Sequence, residues 1–249
     1  MSGDRGEPSR YGAIDAGRAL AVINMVVFHF LYDYYYFIGE LEGFVFAPAV
    51  IFWERCICFA FIIISGISLN FTRRGYKRGI FTLACGAMIS AITYFFIPDQ
   101  FIRFGVLSFL GCAMIITYAL RGLLNRINIP AGMAASLILF ILCFGIPEGY
   151  IGLFTRPILA LPKPIYELGR LSFLGFPSSD YFSADYFPIL PWIFLYFFGY
   201  LLWRAVKSLK LDRRLISGVP ALGFIGRHSL IIYMLHQPVL YGICLMVLK

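Results

Sequence analysis

Seven stretches of about twenty apolar residues dominate the sequence and restrict what the chain can fold into. They lie near residues 14–37, 44–71, 78–97, 104–120, 131–147, 187–204 and 228–248. About twenty helical residues cross the roughly 30 Å hydrocarbon core of a bilayer. A helix also satisfies its own backbone hydrogen bonds, which lipid cannot do. The sequence therefore predicts an all-α fold, a polytopic membrane helical bundle of about seven transmembrane helices.

Composition separates this chain from soluble proteins. Its residues are 60% hydrophobic and 14% charged, whereas soluble domains carry about 25% charged residues. We predict an integral membrane protein with a single transmembrane domain over residues 1–249 and membrane lipids as its surroundings. The first ten residues, MSGDRGEPSR, are polar, so we expect no cleaved signal peptide and a retained first span.

Lysine and arginine are unevenly distributed among the connections between spans. With a cytoplasmic N-terminus, fifteen of the twenty-one basic residues fall in cytoplasmic segments, and most of the others fall outside. Cytoplasmic loops of membrane proteins carry such an excess. We therefore predict that the N-terminus lies inside and the C-terminus outside. The net charge of +8 is then a topology signal, and we expect no nucleic-acid partner.

The longest connection, residues 148–186, is extracytoplasmic in this topology. It contains several prolines, glycines and aromatic residues and charges of both signs, which indicates short interfacial or re-entrant helices. Loops of this length in compact domains are usually functional.

The first span carries two titratable residues. His29 follows the predicted cytoplasmic anchor Arg18 by eleven residues, or about 16 Å of helix, and so lies near the bilayer midplane. Asp33 follows one turn later on the same face. We expect this carboxylate to accept a hydrogen bond from one imidazole nitrogen and to make the other more basic. Together with Asn24, these residues indicate a face that borders a polar cavity.

Two later spans add polar residues. His236 and Gln237 lie near the middle of the last span, directly before Pro238. Asp185 precedes the sixth span and places a carboxylate at its predicted outer mouth. The pattern predicts one polar site that is reachable from outside. Two other interpretations remain open: a proton relay in a transporter or flippase, and polar pairs that only hold helices together in a non-catalytic assembly subunit.

The segment RRGYKR, residues 73–78, is a topology anchor that is also suited to bind the phosphates of a nucleotide-bearing ligand.

The three histidines do not have the spacing of a zinc site, and the six cysteines form no CxxC pair, so we expect no metal. Phosphate-loop, dinucleotide and serine-hydrolase motifs are missing from the sequence. The small residues of GVLSFLGCA, residues 105–113, suit either a homo-oligomer or packing within the chain.

Three segments resemble one enzyme family. Arg10 followed by IDAGRALAVINMVVFHFLYD, and the later SADYFPILPWIFLYFFGYLLWR and GRHSLIIYMLHQPVLYG, resemble the catalytic-domain family of heparan-α-glucosaminide N-acetyltransferase. The spacing of Asp15, Arg18 and His29 is also similar to the first helix of the acyltransferase-three membrane enzymes, in which that histidine is regarded as catalytic.

The resemblance implies a transmembrane acyltransferase of a bacterial or archaeal cell membrane that uses acetyl-CoA or another acyl-CoA. The acceptor would be a hydroxyl or amine of an extracytoplasmic sugar or glycan. His29, with Asp33, would act as general base or carry the acyl group. The candidate substrate-binding residues are His236, Gln237, Tyr233, Asp185 and Asn24. The candidate cofactor-binding residues are Arg18, Arg73, Arg74, Lys77 and Arg78.

Overall fold

The computed structural model describes residues 11–248. Its helices are α1 (Gly12–Phe37), α2 (Leu41–Val45), α3 (Pro48–Leu69), α4 (Gly75–Phe96), α5 (Val106–Leu124), α6 (Ile129–Cys143), α7 (Pro164–Glu167), α8 (Ile189–Ser208), α9 (Pro220–Arg227) and α10 (Ser229–Leu248). Two strands, β1 (Tyr150–Leu153) and β2 (Arg156–Ala160), form a hairpin. The expectations for MSGDRGEPSR, including Arg10, lie outside the described residues.

Seven of the described helices are long and apolar enough to cross a membrane, which confirms the predicted all-α membrane fold. They cover Gly12–Phe37, Pro48–Leu69, Gly75–Phe96, Val106–Leu124, Ile129–Glu148, Ile189–Ser208 and Ser229–Leu248. The fifth span consists of α6 and the short 3-10 helix Ile146–Glu148 that follows it. Large apolar side chains on these helices remain exposed, with Phe96 79% and Met246 80% accessible. Such surfaces are suited to lipid. The inside and outside assignment of the termini stays a prediction.

The chain divides into two compact units, with boundaries inside α3 and inside α8. The first comprises residues 11–64 and 206–248 of the described chain, and the second comprises Ser65–Ala205. Both contain parts of several spans. The prediction of one transmembrane domain over residues 1–249 stays a prediction.

In the first unit, α1 packs against α9 and α10. The closest approach is at Gly226, where an added Cβ would lie 1.9 Å from the carbonyl oxygen of Asp15. Glycine alone permits this backbone contact, which holds α9 against the first turn of α1. Helix α9 was not expected from the sequence, because its eight residues are too few to form a span.

In the second unit, α4 and α5 form an extensive helix pair. A Cβ added at Gly111 would lie 2.6 Å from the backbone nitrogen of Leu83 and 2.8 Å from the carbonyl oxygen of Gly79. Small residues allow helix backbones to approach in this way. The small-residue face of residues 105–113 therefore packs within the chain at Gly111, and a homo-oligomer stays a prediction.

The connection 148–186 contains the short helix α7 and the β1–β2 hairpin. The hairpin was not expected from the sequence. The strands are antiparallel, with Tyr150 opposite Ala160 and a register irregularity at Ile151/Gly152. Tyrosine hydroxyls tie the segment together: that of Tyr166 donates to the carbonyl of Ile146, and that of Tyr186 donates to the carbonyl of Ser172 at 2.6 Å. Burial raises the pKa of both phenols.

Candidate functional site

Two histidines from different helices meet in the first unit. The rings of His29 in α1 and His236 in α10 lie with their centroids 4.8 Å apart and their planes at 78°, an edge-to-face arrangement. His236 is 9% accessible. The two candidate residues thus come together although 207 positions of sequence separate them.

Local hydrogen bonds determine which nitrogen of each ring holds a proton. Nδ1 of His29 lies 3.0 Å from the carbonyl oxygen of Met25, and Nδ1 of His236 lies 2.6 Å from the carbonyl oxygen of Tyr233. A carbonyl oxygen only accepts, so Nδ1 is the donor in both neutral rings. Each Nε2 consequently keeps a lone pair and is able to accept a proton or a hydrogen bond.

Asp33 has a different partner from the one expected. Its Oδ1 atom accepts a hydrogen bond of 2.8 Å from Nε2 of Gln237, and His29 bonds to the carbonyl of Met25 rather than to Asp33. Helical side chains lean toward the N-terminus of their helix. The His29 ring therefore turns toward residue 25, and the long side chain of Gln237 reaches the carboxylate from α10. The predicted orientation of His29 by Asp33 was wrong in this respect.

Three buried polar atoms of this cluster have no hydrogen-bond partner within the described chain. They are Oδ2 of Asp33, Nε2 of His236 and Oε1 of Gln237. Together with His29, these three residues form a group that we call the acceptor cluster: His29, Asp33, His236 and Gln237. Buried polar groups in proteins are nearly always hydrogen-bonded, and leaving one unpaired costs about 1–3 kcal/mol. All three atoms are acceptors when Asp33 is ionised and the His236 ring is neutral, so the complementary ligand is one that donates.

Aromatic rings surround the acceptor cluster. The ring of Phe28 lies 5.6 Å from that of His29, and the ring of Tyr233 lies 5.4 Å from that of His236. The ring of Phe61 in α3 lies edge-to-face with that of Tyr233, with 6.3 Å between the ring centroids. An apolar environment strengthens hydrogen bonds to any donor that enters.

Asn24 and Asp185, two further candidates, make structural contacts. Oδ1 of Asn24 accepts from Nε1 of Trp53 at 3.1 Å, and its amide donates to the carbonyl of Leu20 at 2.9 Å. Oδ2 of Asp185 accepts from the backbone N–H of Val106 at 3.0 Å and so caps α5. Their predicted contacts with substrate stay predictions.

The candidate cofactor-binding residues fall into two groups. Arg18 forms an ion pair of 2.6 Å with Asp15, so its charge is already largely offset. The residues of RRGYKR lie at the start of α4, and all four basic side chains are exposed. Arg78 donates to the hydroxyl of Thr72 at 2.7 Å. The N-terminal end of a helix carries partial positive charge, which adds to theirs.

A cavity of about 250 Å³ lies in the second unit. Asn70, Thr72, Tyr118, Arg121, Asn125 and Tyr200 provide its polar lining. None of these residues was a candidate, although Tyr118, Arg121 and Asn125 share one helical face through the i, i+3, i+7 spacing of YALRGLLN. The cavity expected beside His29 stays a prediction. The described residues contain no group of three or more side chains placed to hold a metal.

The long apolar helices and the acceptor cluster define an integral membrane protein with an intramembrane polar site. Residues 10–238 match the family described as heparan-alpha-glucosaminide N-acetyltransferase, catalytic. The chain belongs to this family, which confirms the resemblance found in its sequence and identifies it as a member of a group of transmembrane acetyltransferases. No curated protein and no solved structure matches the chain.

Proposed function

We propose that this protein transfers an acyl group, most simply acetyl, from cytoplasmic acyl-CoA to a hydroxyl or amine of an extracytoplasmic sugar or glycan. The observation that carries the proposal is the acceptor cluster, in which three buried acceptor atoms lack partners among the described residues. A sugar hydroxyl or amine brings the N–H and O–H groups that such atoms require. The same donors are the nucleophiles of acyl transfer.

A general base needs an unshared lone pair, and the neutral His29 ring has one on Nε2. With Nδ1 of His29 donating to the carbonyl of Met25, Nε2 is the basic atom. In the proposed reaction, this atom takes the proton of the attacking hydroxyl or amine while the new bond to the acyl carbon forms. It returns the proton to the thiolate as the carbon–sulfur bond breaks. General-base assistance contributes about 10²–10⁴-fold to such reactions.

The other members of the acceptor cluster hold the acceptor molecule. His236 offers Nε2 as a second acceptor beside His29, at a ring separation of 4.8 Å. Asp33 and Gln237 fix one another through their 2.8 Å hydrogen bond, and each keeps one acceptor oxygen for the ligand. Two such contacts orient a nucleophile and reduce the entropy that its positioning costs.

The basic residues at the start of α4 suit the phosphates of the acyl-CoA donor. Arg73, Arg74, Lys77 and Arg78 are exposed there, and the helix N-terminus adds favourable dipoles. The donor supplies the acyl thioester. We leave Arg18 out of this group because Asp15 offsets its charge.

The test uses purified protein reconstituted in liposomes, labelled acetyl-CoA, and glucosamine or glucose as acceptor. Glucose lacks the amine, so the pair separates N-transfer from O-transfer. His29→Ala is compared with His228→Ala, because His228 makes the same contact with an i−4 carbonyl, at 2.9 Å to Phe224, but lies outside the acceptor cluster. We expect His29→Ala to lower the rate by about 10²–10⁴-fold and His228→Ala to leave it unchanged.

Melting temperatures of both variants show whether either change acts through folding. Equal rates for wild type and His29→Ala would remove His29 from the mechanism. Absence of transfer with both sugars, together with no acetyl-CoA-dependent rise in the melting temperature of wild type, would contradict the proposed function. A ligand that binds only the folded state must raise that temperature.

A further inference from the structure

The polar cavity of the second unit lies beside the C-terminal ends of α3 and α5 and the middle of α8. Its volume is about 250 Å³, and Leu69 is its apolar lining residue. Ligand pockets for drug-sized molecules measure about 300–1,000 Å³. The cavity therefore fits a small polar group rather than a whole cofactor.

Hydrogen bonds between helices hold the walls of this cavity in place. The hydroxyl of Tyr200 donates to Oδ1 of Asn125 at 2.9 Å, and the amide of Asn70 donates to the carbonyl of Tyr200 at 3.2 Å. The hydroxyl of Tyr118 donates to the carbonyl of Arg73 at 2.8 Å. The guanidinium of Arg204 donates to the carbonyl of Asn125 at 2.8 Å. These contacts make the cavity a formed site.

The charge of this site is positive. Arg121 lies over the ring of Tyr118, with Cζ 4.6 Å from the ring centroid, and it has no ion pair within the described chain. Arg78 reaches the wall through its 2.7 Å hydrogen bond to Thr72. None of the described lining residues is acidic. A planar guanidinium binds phosphate oxygens through paired hydrogen bonds.

Asn125 adds a neutral donor. Its Oδ1 atom accepts from Tyr200 and its carbonyl oxygen accepts from Arg204, so its side-chain N–H groups are the donors that it offers to a ligand. We propose that this cavity binds a phosphoryl group, held by the guanidinium of Arg121 and the amide of Asn125. The group belongs either to a soluble phosphorylated ligand or to the headgroup of an anionic phospholipid.

The proposal does not depend on acyl transfer, because it rests on the residues of the second unit alone. The site also differs from the basic cluster of residues 73–78, since Arg121 and Asn125, although exposed, line a cavity of defined size. In the predicted topology this end of the helices faces the cytoplasm, where both sources of phosphoryl groups occur.

The experiment measures melting temperatures with two probes. In one arm, purified protein in a neutral detergent is titrated with inorganic pyrophosphate. In the other, protein in phosphatidylcholine nanodiscs is compared with protein in nanodiscs that contain phosphatidylglycerol. The variants are Arg121→Gln, which removes the charge, and Arg121→Lys, which keeps it without the planar fork. Arg126→Gln is the matched control, because Arg126 is exposed, close in sequence and outside the cavity lining.

Stabilisation by pyrophosphate supports a soluble ligand, and stabilisation only by phosphatidylglycerol supports a lipid headgroup. In either case Arg121→Gln should weaken binding about 10–100-fold, as expected for loss of a hydrogen bond to a charged group. Arg121→Lys should lose less, and Arg126→Gln should resemble wild type. No stabilisation by either probe, or equal losses in Arg121→Gln and Arg126→Gln, would overturn the proposal. Acetyl transfer is not measured here, so this outcome is independent of the proposed function.

Discussion

The side-chain amide of Gln237 donates a hydrogen bond of 2.8 Å to the carboxylate of Asp33, and this contact joins α10 to α1 across 204 positions of sequence. Asp33 is 2% accessible. A buried carboxylate is costly without partners. The pair therefore links the stability of the first unit to the geometry of the acceptor cluster.

Substitution of Gln237 should show how far the stability of the first unit depends on its hydrogen bond to Asp33. We expect Gln237→Leu to lower the free energy of unfolding by about 1.5–3 kcal/mol, the range for a hydrogen bond to a charged group. In an Asp33→Asn background the same change should cost only about 0.5–1.5 kcal/mol, since both groups are then neutral. Denaturant unfolding of the four proteins gives the coupling free energy. Equal costs in both backgrounds would show that the carboxylate does not need this partner.

Helix α5 offers a pair of glycines that tests its packing on α4. A Cβ added at Gly111 would lie 2.6 Å from the backbone nitrogen of Leu83, whereas a Cβ added at Gly122 would have no neighbour within 4 Å. Gly111→Ala should destabilise the protein by about 1–3 kcal/mol. Gly122→Ala should stabilise it by about 0.5–1 kcal/mol, because alanine favours a helix. Equal melting temperatures for the two variants would contradict the close α4–α5 contact.

Asp185 should matter for the start of α5. Its Oδ2 atom accepts from the backbone N–H of Val106, as a capping side chain does. Asp185→Ala should cost about 0.5–2 kcal/mol of stability. Asp185→Asn keeps an acceptor and should lose only the charge–dipole contribution of about 0.3–1 kcal/mol. If both variants retain wild-type unfolding free energy but lose acyl transfer, the residue acts on substrate instead.

Asp180 should give the loop 148–186 a pH dependence. Hydrogen bonds from Ser178 and from backbone, with the positive charge of Arg103, lower the pKa of this carboxyl. Because the folded-state pKa of Asp180 is lowered, its carboxylate stabilises the folded protein at pH values above the ordinary aspartate pKa of about 4. This contribution disappears as the pH falls through the folded-state pKa. Asp180→Asn should therefore slightly lower the melting temperature at pH 7 and leave it unchanged near pH 2.

High salt should reduce the difference at pH 7, because the carboxyl is exposed. Asp99→Asn is the matched control, since Asp99 is also an exposed acid of an extracytoplasmic connection in the predicted topology. An effect of Asp180→Asn that persists unchanged to pH 2 would exclude the carboxylate as its source.

Family and fold could be predicted from local information. The seven spans follow from apolar windows of sufficient length, because each helix satisfies its backbone within its own segment. The order of three quoted segments indicated the acetyltransferase family, and residues 10–238 match it. His29 and His236 were candidates because polar residues are costly within such spans.

The partners of those residues were decided by tertiary structure. The i, i+4 spacing of His29 and Asp33 favoured a direct pair, yet His29 bonds Met25 and Asp33 bonds Gln237. Spacing along one helix determines which side chains share a face, but it does not include competing groups from another helix. The cavity around Arg121 has the same origin, since its walls come from segments separated by as many as 131 positions. The sequence by itself determined that these helices cross a membrane, and only their packing decided which polar atoms meet.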